Sequence, residues 1–278
     1  MTDFLWQDRD KKEYVYPFNP RPECLDMIQR PPTVALDIGC GSGGVGHELR
    51  RRHPGCELWG CEFNASAAQV AREHFDKVVE QDVETVDFAA MGLTRPFDLV
   101  CLFDVLEHLV NPWQLLSGLK RIVAPDAQIL VSLPNASNLP VLFDAMGGHW
   151  RYTHWGLLDF THLRFFTDFD ARKMFYQTGF RVIDHRLDYL GEGRGIYERH
   201  QAEPFPLVLT LGGLSLQVAS ADDLARLCAD RNLYLLSPHH GDFRDDSERE
   251  MASNSYPTTY TFGGCSAPPP QPRGRDRA

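Results

Sequence analysis

No apolar run in these 278 residues approaches the ~20 that a bilayer-spanning helix requires, so no membrane partner is expected. The N-terminus, Met1-Thr2-Asp3-Phe4-Leu5-Trp6, has no basic stretch followed by an apolar core, and no secretory signal is expected. Cys-x-x-Cys is absent, and the seven cysteines are scattered, odd in number and without framework spacing. That usage predicts reduced thiols and a cytoplasmic setting. Basic residues are in deficit, 28 Lys and Arg against 38 Asp and Glu, for a formal net charge of −10. Affinity for nucleic acid rests largely on cationic contacts to phosphate, so no nucleic-acid partner is expected. The local run Arg50-Arg51-Arg52 reads instead as a helix end, where cations suit the negative pole of the helix dipole.

What is present centres on Val34-Ala35-Leu36-Asp37-Ile38-Gly39-Cys40-Gly41-Ser42-Gly43-Gly44. An apolar run carries the acid Asp37 near its end, a glycine turn follows at once, and a helix-like segment comes next. Glycine has no Cβ, so a ligand can lie against bare backbone in such a turn. The turn also falls at the carboxyl end of a strand, where open α/β sheets bind ligands. Leu58-Trp59-Gly60-Cys61-Glu62-Phe63 is a second short apolar run closing on an acid. In a nucleotide-binding β-α-β unit an acid at that place accepts hydrogen bonds from ribose hydroxyls. The Asp-x-Gly-x-Gly order favours S-adenosylmethionine (SAM). Gly39 to Gly44 also satisfies the dinucleotide spacing, however, so spacing alone leaves NAD open.

Two further strands follow in order: Lys77 to Glu80, leading to Asp82, and Phe97-Asp98-Leu99-Val100-Cys101-Leu102-Phe103-Asp104, leading to Val105-Leu106-Glu107-His108-Leu109. Over roughly residues 13–188 the chain resembles the class I SAM-dependent methyltransferases. It is most similar to the bacterial group with an Asp-Val-Leu-Glu-His-Leu fourth motif. Gly156-Leu157-Leu158-Asp159-Phe160-Thr161-His162-Leu163-Arg164-Phe165-Phe166-Thr167 is also similar to that group.

The resemblance implies roles for the matching positions. Gly39 and Gly41 let backbone approach the donor, and Asp37 orients the turn and the methionine amine. Glu62 binds the ribose and Phe63 flanks the adenine. Asp82, with Val83 beside it, accepts from the adenine amine, while Phe103 and Asp104 border the methionine portion. Arg21, in Phe18-Asn19-Pro20-Arg21, is similar to an arginine of ubiquinone-pathway O-methyltransferases that contacts the donor carboxylate. S-adenosylhomocysteine (SAH) is then the product.

His108 and His162 are the candidate bases. A histidine titrates near neutrality, which suits removal of a hydroxyl proton as a methyl group moves. His162, in the aromatic-rich insertion, is expected to serve as base or acceptor anchor, and His108 to act on donor binding or stability. Asp104, Glu107 and His108 share one helical face if the segment is helical. Ubiquinone-pathway and small-RNA 2′-O-methyltransferases bind a divalent metal with a similar Glu-x-x-Glu-His. Here the face is read as structural and no metal is expected.

Strands are expected near 33–38, 57–61, 77–80, 97–103, 127–133 and 180–187, with a last strand over 231–237 that the resemblance would place antiparallel in the sheet. Helices are expected over 43–53, 64–75, 111–123 and 168–178. This alternation predicts an α/β fold, a seven-stranded Rossmann-like sheet with helices on both faces. An N-terminal segment, 1–30, is assigned over the donor site and a core to 31–188. The core includes a lid insertion, 134–166, whose Trp150, Tyr152, Trp155 and Phe160 are expected mainly to bury the loop. Residues 189–237 hold a second insertion, with 191–195 read as loop and 221–230 as helix, and the last strand. Residues 238–278 read as a tail, partly disordered. The functional expectation is SAM-dependent O-methylation of a small-molecule or glycan acceptor in a bacterial biosynthetic pathway. N-methylation, a non-catalytic SAM-binding or partner-binding protein, and an NAD enzyme are the alternatives. Oligomeric state is left open, a homodimer included.

Overall fold

The computed structural model describes residues 17–87, 92–211, 213–239 and 243–253. In chain order the elements are α1 (Pro22–Leu25), β1 (Val34–Ile38), α2 (Gly44–Arg52), β2 (Glu57–Glu62), α3 (Ala65–Ala71), β3 (Lys77–Glu80), β4 (Phe97–Phe103), α4 (Pro112–Leu119), β5 (Val123–Pro134), α5 (Leu139–Met146), α6 (Asp168–Gln177) and β6 (Phe180–Asp188). Then follow α7 (Glu192–His200), β7 (Leu207–Leu211), β8 (Leu214–Val218), α8 (Ala221–Cys228), β9 (Arg231–Pro238) and α9 (Asp246–Ala252).

Seven strands form one sheet in the order β3-β2-β1-β4-β5-β9-β6. Strands β1 to β5 pair in parallel, and β9 runs antiparallel to both β5 and β6. The sheet is covered on both faces, which is why its central strands read as unbroken apolar runs. In β1, Val34, Leu36 and Ile38 join a core with Leu116, Phe175 and Tyr234, while Ala35 joins Leu49, Cys24 and Leu25 on the opposite face. Strand alternation therefore puts Asp37 on the α1 and α2 side.

The helix starts are local. Asn64, Asn111 and Thr167 accept from the backbone N–H three residues on, at 3.0, 3.2 and 3.2 Å. Gly179, at φ 83°, ends the turn between α6 and β6. Among the described residues six cysteines are free and all are buried. No described helix is long and apolar enough to cross a membrane.

The expected second insertion is more ordered than its sequence suggested. Residues 192–195, read as loop, open α7 instead. A Cβ on Gly193 would lie 2.1 Å from the Cys228 carbonyl oxygen, so glycine there allows α7 to press on the end of α8. The hairpin β7–β8, unforeseen, adds Leu207, Leu209 and Val218 to a small core with Leu139, Phe143 and Leu224. Within the tail, Asp246–Ala252 form α9. Helix α9 packs on α6, with Arg181 making a two-pronged ion pair to Glu248 at 2.9 and 3.0 Å. Lys173 also donates to the Glu250 carbonyl at 3.2 Å. Polar contacts hold this helix, so no apolar period announced it. The part of the tail expected to be disordered, 266–278, lies outside the described residues.

Candidate active site

The carboxyl ends of β1, β2 and β4 bring the predicted donor residues together. Gly39, Gly41 and Gly43 all have positive φ, so the turn after β1 adopts a path that residues with a Cβ avoid. The backbone N–H groups of Gly39 and Cys40 donate to the Cys61 carbonyl at 2.8 and 3.1 Å, tying the turn to the end of β2. Glu62 is 3 % exposed, and each of its carboxylate oxygens takes one backbone N–H, from Gly41 and from Asn64, both at 2.9 Å. Burial raises its pKa while these N–H groups pull it back down. The Phe63 N–H also faces this carboxylate, whose remaining lone pairs are open to a vicinal diol. Asp37, also 3 % exposed, has Oδ2 buried with no hydrogen-bond partner, and burial with the nearby Glu62 pushes its carboxyl well above the usual range. A buried, unpartnered carboxyl oxygen beside a turn is a place for an ammonium or hydroxyl donor.

Phe63, Asp82 and Val83 lie at the ends of β2 and β3. Phe63 is 67 % exposed, Asp82 is exposed with Oδ1 accepting from the Glu84 N–H at 2.9 Å, and Val83 packs partly on the core. The N-terminal segment reaches this turn from outside. A Cβ on Gly44 would sit 2.5 Å from the Asn19 carbonyl oxygen, so 18–21 lies directly on the start of α2.

Arg21 donates to Asp104 Oδ2 at 2.5 Å and to Ser132 Oγ at 2.7 Å, and its guanidinium sits 5.6 Å from the centre of the Phe103 ring. Ser132 Oγ in turn donates to Asp104 Oδ1 at 2.7 Å. Arg231 lies 3.4 Å from the same Asp104 carboxylate and is paired with Asp188 and Glu23. Burial alone would raise the Asp104 carboxyl, but the Arg21 charge and hydrogen bond outweigh it and hold it well below the usual carboxylate range. This network corrects the shared helical face. Asp104 has φ 56°, in the left-handed region, and only Leu106–His108 form a single 3₁₀ turn. Asp104 is held by Arg21 and Ser132 and is not part of the group of ligand atoms that Glu107 and His108 form with His162.

His108 and His162 do meet, their rings edge to face with centroids 4.7 Å apart. Beside them lies Glu107, 1 % exposed, with neither carboxyl oxygen hydrogen-bonded. Burial, with Asp104 nearby, pushes its pKa well above the usual range. The nearest His162 nitrogen, Nε2, is 4.0 Å from Glu107 Oε1. Burial lowers the pKa of both histidines, favouring the neutral imidazole. Glu107, His108 and His162 offer three ligand atoms within 4.8 Å of one another, a set of a kind that could hold a divalent ion.

The lid buries its histidine and half-buries Phe160, but leaves its other named aromatics in solvent. Trp150, Tyr152 and Trp155 are all exposed, Trp155 by 73 %, against the expectation that they bury the loop. The lid hangs instead on polar contacts, the Leu163 and Arg164 N–H groups donating to the Glu107 carbonyl at 2.8 and 3.0 Å. A cavity of about 600 Å³ opens between α6 and α8, walled by Asn135, Thr167, Asp168, Asp223, Arg226 and Asn232 among others. None of the donor-side residues lines it.

A family model described as a methyltransferase domain matches residues 12–185, more than half of the sequence. The chain belongs to the methyltransferase-domain family. With its sheet order and donor turn, it is a class I SAM-dependent methyltransferase. Among curated relatives, the ubiquinone biosynthesis O-methyltransferase of Alkalilimnicola ehrlichii is 31% identical over 121 residues, 41% of this chain and 47% of that protein. The enzyme of the same name from Hahella chejuensis is 26% identical over 152 residues, 52% of this chain and 62% of that protein. The methyltransferase thus spans about half the length of the first of these relatives and under two thirds of the second. Among solved structures, the StiE O-MT fragment 961–1257 aligns with a TM-score of 0.52 at 14% identity, over 84% of this chain and 77% of that one. A putative methyltransferase solved with the Haloferax volcanii Trm112 activator aligns with a TM-score of 0.52 at 15% identity, over 86% of this chain and 96% of that one. These two likenesses concern the fold.

Sequence reasoning missed Ser132 and Arg231, which fasten Asp104, and Asp159 and Thr161, which reach His108. The Asp-x-Thr-His string over 159–162 was visible as a family-like segment, but only His162 was picked from it. Ser132 and Arg231 carry no local signal.

Proposed function

We propose that this methyltransferase transfers the methyl group of SAM to a hydroxyl oxygen of a small-molecule or glycan acceptor in a bacterial biosynthetic pathway. The observation that carries the reading is the pair of buried acids beside the glycine turn. Glu62 is held rigid by two backbone N–H groups with lone pairs to spare, and Asp37 has an oxygen with no partner. A ribose diol and a methionine ammonium are the donors such a pair accepts. Arg21, close against Asp104 and Phe103, is placed in this reading against the donor carboxylate, and Phe63, Asp82 and Val83 around the adenine. The donor supplies an electrophilic methyl on a sulfonium. The chain's part is to hold the acceptor oxygen in line and take its proton, a task for the neutral imidazoles of His108 and His162. Oxygen as the acceptor atom is supported by the curated relatives, whose names are those of O-methyltransferases. The buried free thiols support a cytoplasmic setting.

The test is conversion of SAM to SAH with a panel of phenols and sugar nucleotides. Turnover with any hydroxyl acceptor supports the reading, and methylation found only at nitrogen overturns the oxygen assignment. The Glu107, His108 and His162 group is read as working without a metal, so turnover persists in EDTA. Loss on chelation, restored by magnesium or zinc, would reverse that assignment.

A further inference from the structure

We propose that His108 is the proton acceptor, and that Thr161 and Asp159 are positioning residues that fix its tautomer from the lid. The inference rests on the methyl-transfer reading and says which histidine serves it, and how.

The direction of three hydrogen bonds decides the matter. The Thr161 hydroxyl lies 2.6 Å from Asp159 Oδ1 and 3.1 Å from His108 Nδ1. A carboxylate oxygen only accepts, so the one hydroxyl proton of Thr161 goes to Asp159. Its lone pair then faces His108, and Nδ1 must carry the hydrogen. The Thr161 N–H, donating to the same Asp159 oxygen at 2.8 Å, locks the turn that makes this possible. His108 is thus set with Nδ1 toward Thr161, whose backbone also holds the ring, and with its lone pair on Nε2. The chain His108 to Thr161 to Asp159 also stabilises the imidazolium once a proton arrives, because its far end is an acid.

His162 is arranged differently. Its Nδ1 lies 3.2 Å from the Leu157 carbonyl, which only accepts, so Nδ1 carries its hydrogen as well. Its Nε2 faces Glu107 at 4.0 Å, and the side chain is 5 % exposed. The lone pair of His162 thus looks into the buried carboxyl, while His108, which also has a ring nitrogen within 4.8 Å of that group, is the more exposed of the two and the one an acceptor can reach. Asp159, Asp104, Glu107 and His162 are the titratable groups around His108. In the transfer, the acceptor O–H bond breaks toward His108 Nε2 while the oxygen bonds the methyl carbon. The electron pair of the carbon–sulfur bond returns to sulfur. The acceptor leaves as its methyl ether, the donor as neutral SAH, and the proton stays on His108 until solvent removes it.

The test reads the tautomer directly and needs no acceptor. In the SAH-loaded full-length protein, ¹⁵N NMR of the histidine rings should show His108 with hydrogen on Nδ1 and the lone pair on Nε2. Asp159→Asn and Thr161→Val should shift His108 toward the Nε2–H form, Thr161→Ser should restore the wild-type pattern, and SAH affinity should be unchanged in all three. Diethyl pyrocarbonate, which acylates accessible neutral imidazole, should modify His108 faster than His162. An Nε2–H tautomer in the wild type, a pattern indifferent to both Asp159→Asn and Thr161→Val, or preferential acylation of His162 would overturn the proposal. Failure of SAH to bind would instead strike the methyl-transfer reading itself.

Discussion

The two sides of the site hold their acids by different means. On the donor side Glu62 is fixed by backbone N–H groups of Gly41 and Asn64, within the turn and helix start adjoining β1 and β2. On the acceptor side neither oxygen of the Glu107 carboxyl has a hydrogen-bond partner, and its histidine neighbour is oriented by side chains more than fifty positions away. Asp104 stands between the two, tied by side chains but to cations. Backbone donors come with the fold and cannot be substituted away. Side-chain partners can be exchanged one at a time. The donor side is therefore expected to resist change in everything except its acids, and the acceptor side to respond to the lid.

The largest effect expected from a single change falls on the acceptor side. His108→Ala should lower turnover by ~10²-fold or more while SAH affinity stays intact, because general-base catalysis is worth about that much. His162→Ala should cost less turnover. Steady-state kinetics with whichever acceptor proves active, beside calorimetry with SAH, separates the two. Equal losses for both variants would erase the distinction drawn between the histidines.

Next in size is Arg21→Ala, which strips the buried partner from Asp104. Breaking a buried ion pair costs ~3–5 kcal/mol. Asp104 keeps 31% of its side-chain surface and Arg231 remains 3.4 Å away, so about 2 kcal/mol is expected here. The sign of the pH dependence follows from the depressed Asp104 pKa. Its stabilisation is fully present above the unfolded value near ~3.9 and is lost as pH falls through the folded value. Urea denaturation should therefore show a constant gap between wild type and variant from pH 6 to 8, closing in acid. A gap that widens in acid would contradict the account of Asp104.

A smaller and opposite change is expected at Glu107. Its raised pKa means that the folded protein binds more protons than the unfolded chain above the ordinary carboxylate range. Stability then falls as pH climbs from about 4 toward the raised value. Glu107→Gln removes that slope, so the variant should gain on the wild type between pH 5 and pH 8 in urea midpoint. A variant less stable at pH 8 would mean that the carboxylate is paired after all.

The same contrast explains what the sequence made legible. Strands and turn depend on contacts within one β-α-β unit, so the patterns around Asp37, Gly39 and Glu62 matched the observed elements, and the last strand was legible over 231–237. Pairings between distant segments left no local trace. Arg231 reaches Asp104 from the end of the second insertion, and Thr161 reaches His108 across the lid. The hairpin β7–β8 and α9 escaped for a related reason. One contributes only alternate residues to a small core, and the other is held by ion pairs. Asp104 was expected on a helical face because spacing assumes regular helix, and a left-handed residue breaks that assumption.

The central claim is that the two buried acids beside the glycine turn form a SAM site rather than a dinucleotide site. Titration calorimetry of the full-length protein with SAH and with NAD, repeated on Glu62→Ala, tests it most directly. Hydrogen bonds to a charged partner are worth about 1.5–3 kcal/mol each, so removing the acceptor of two ribose hydroxyls should weaken SAH binding by roughly tenfold or more. SAH should bind, NAD should not, and Glu62→Ala should show that loss. Binding of NAD, or SAH affinity unchanged in the variant, would contradict it.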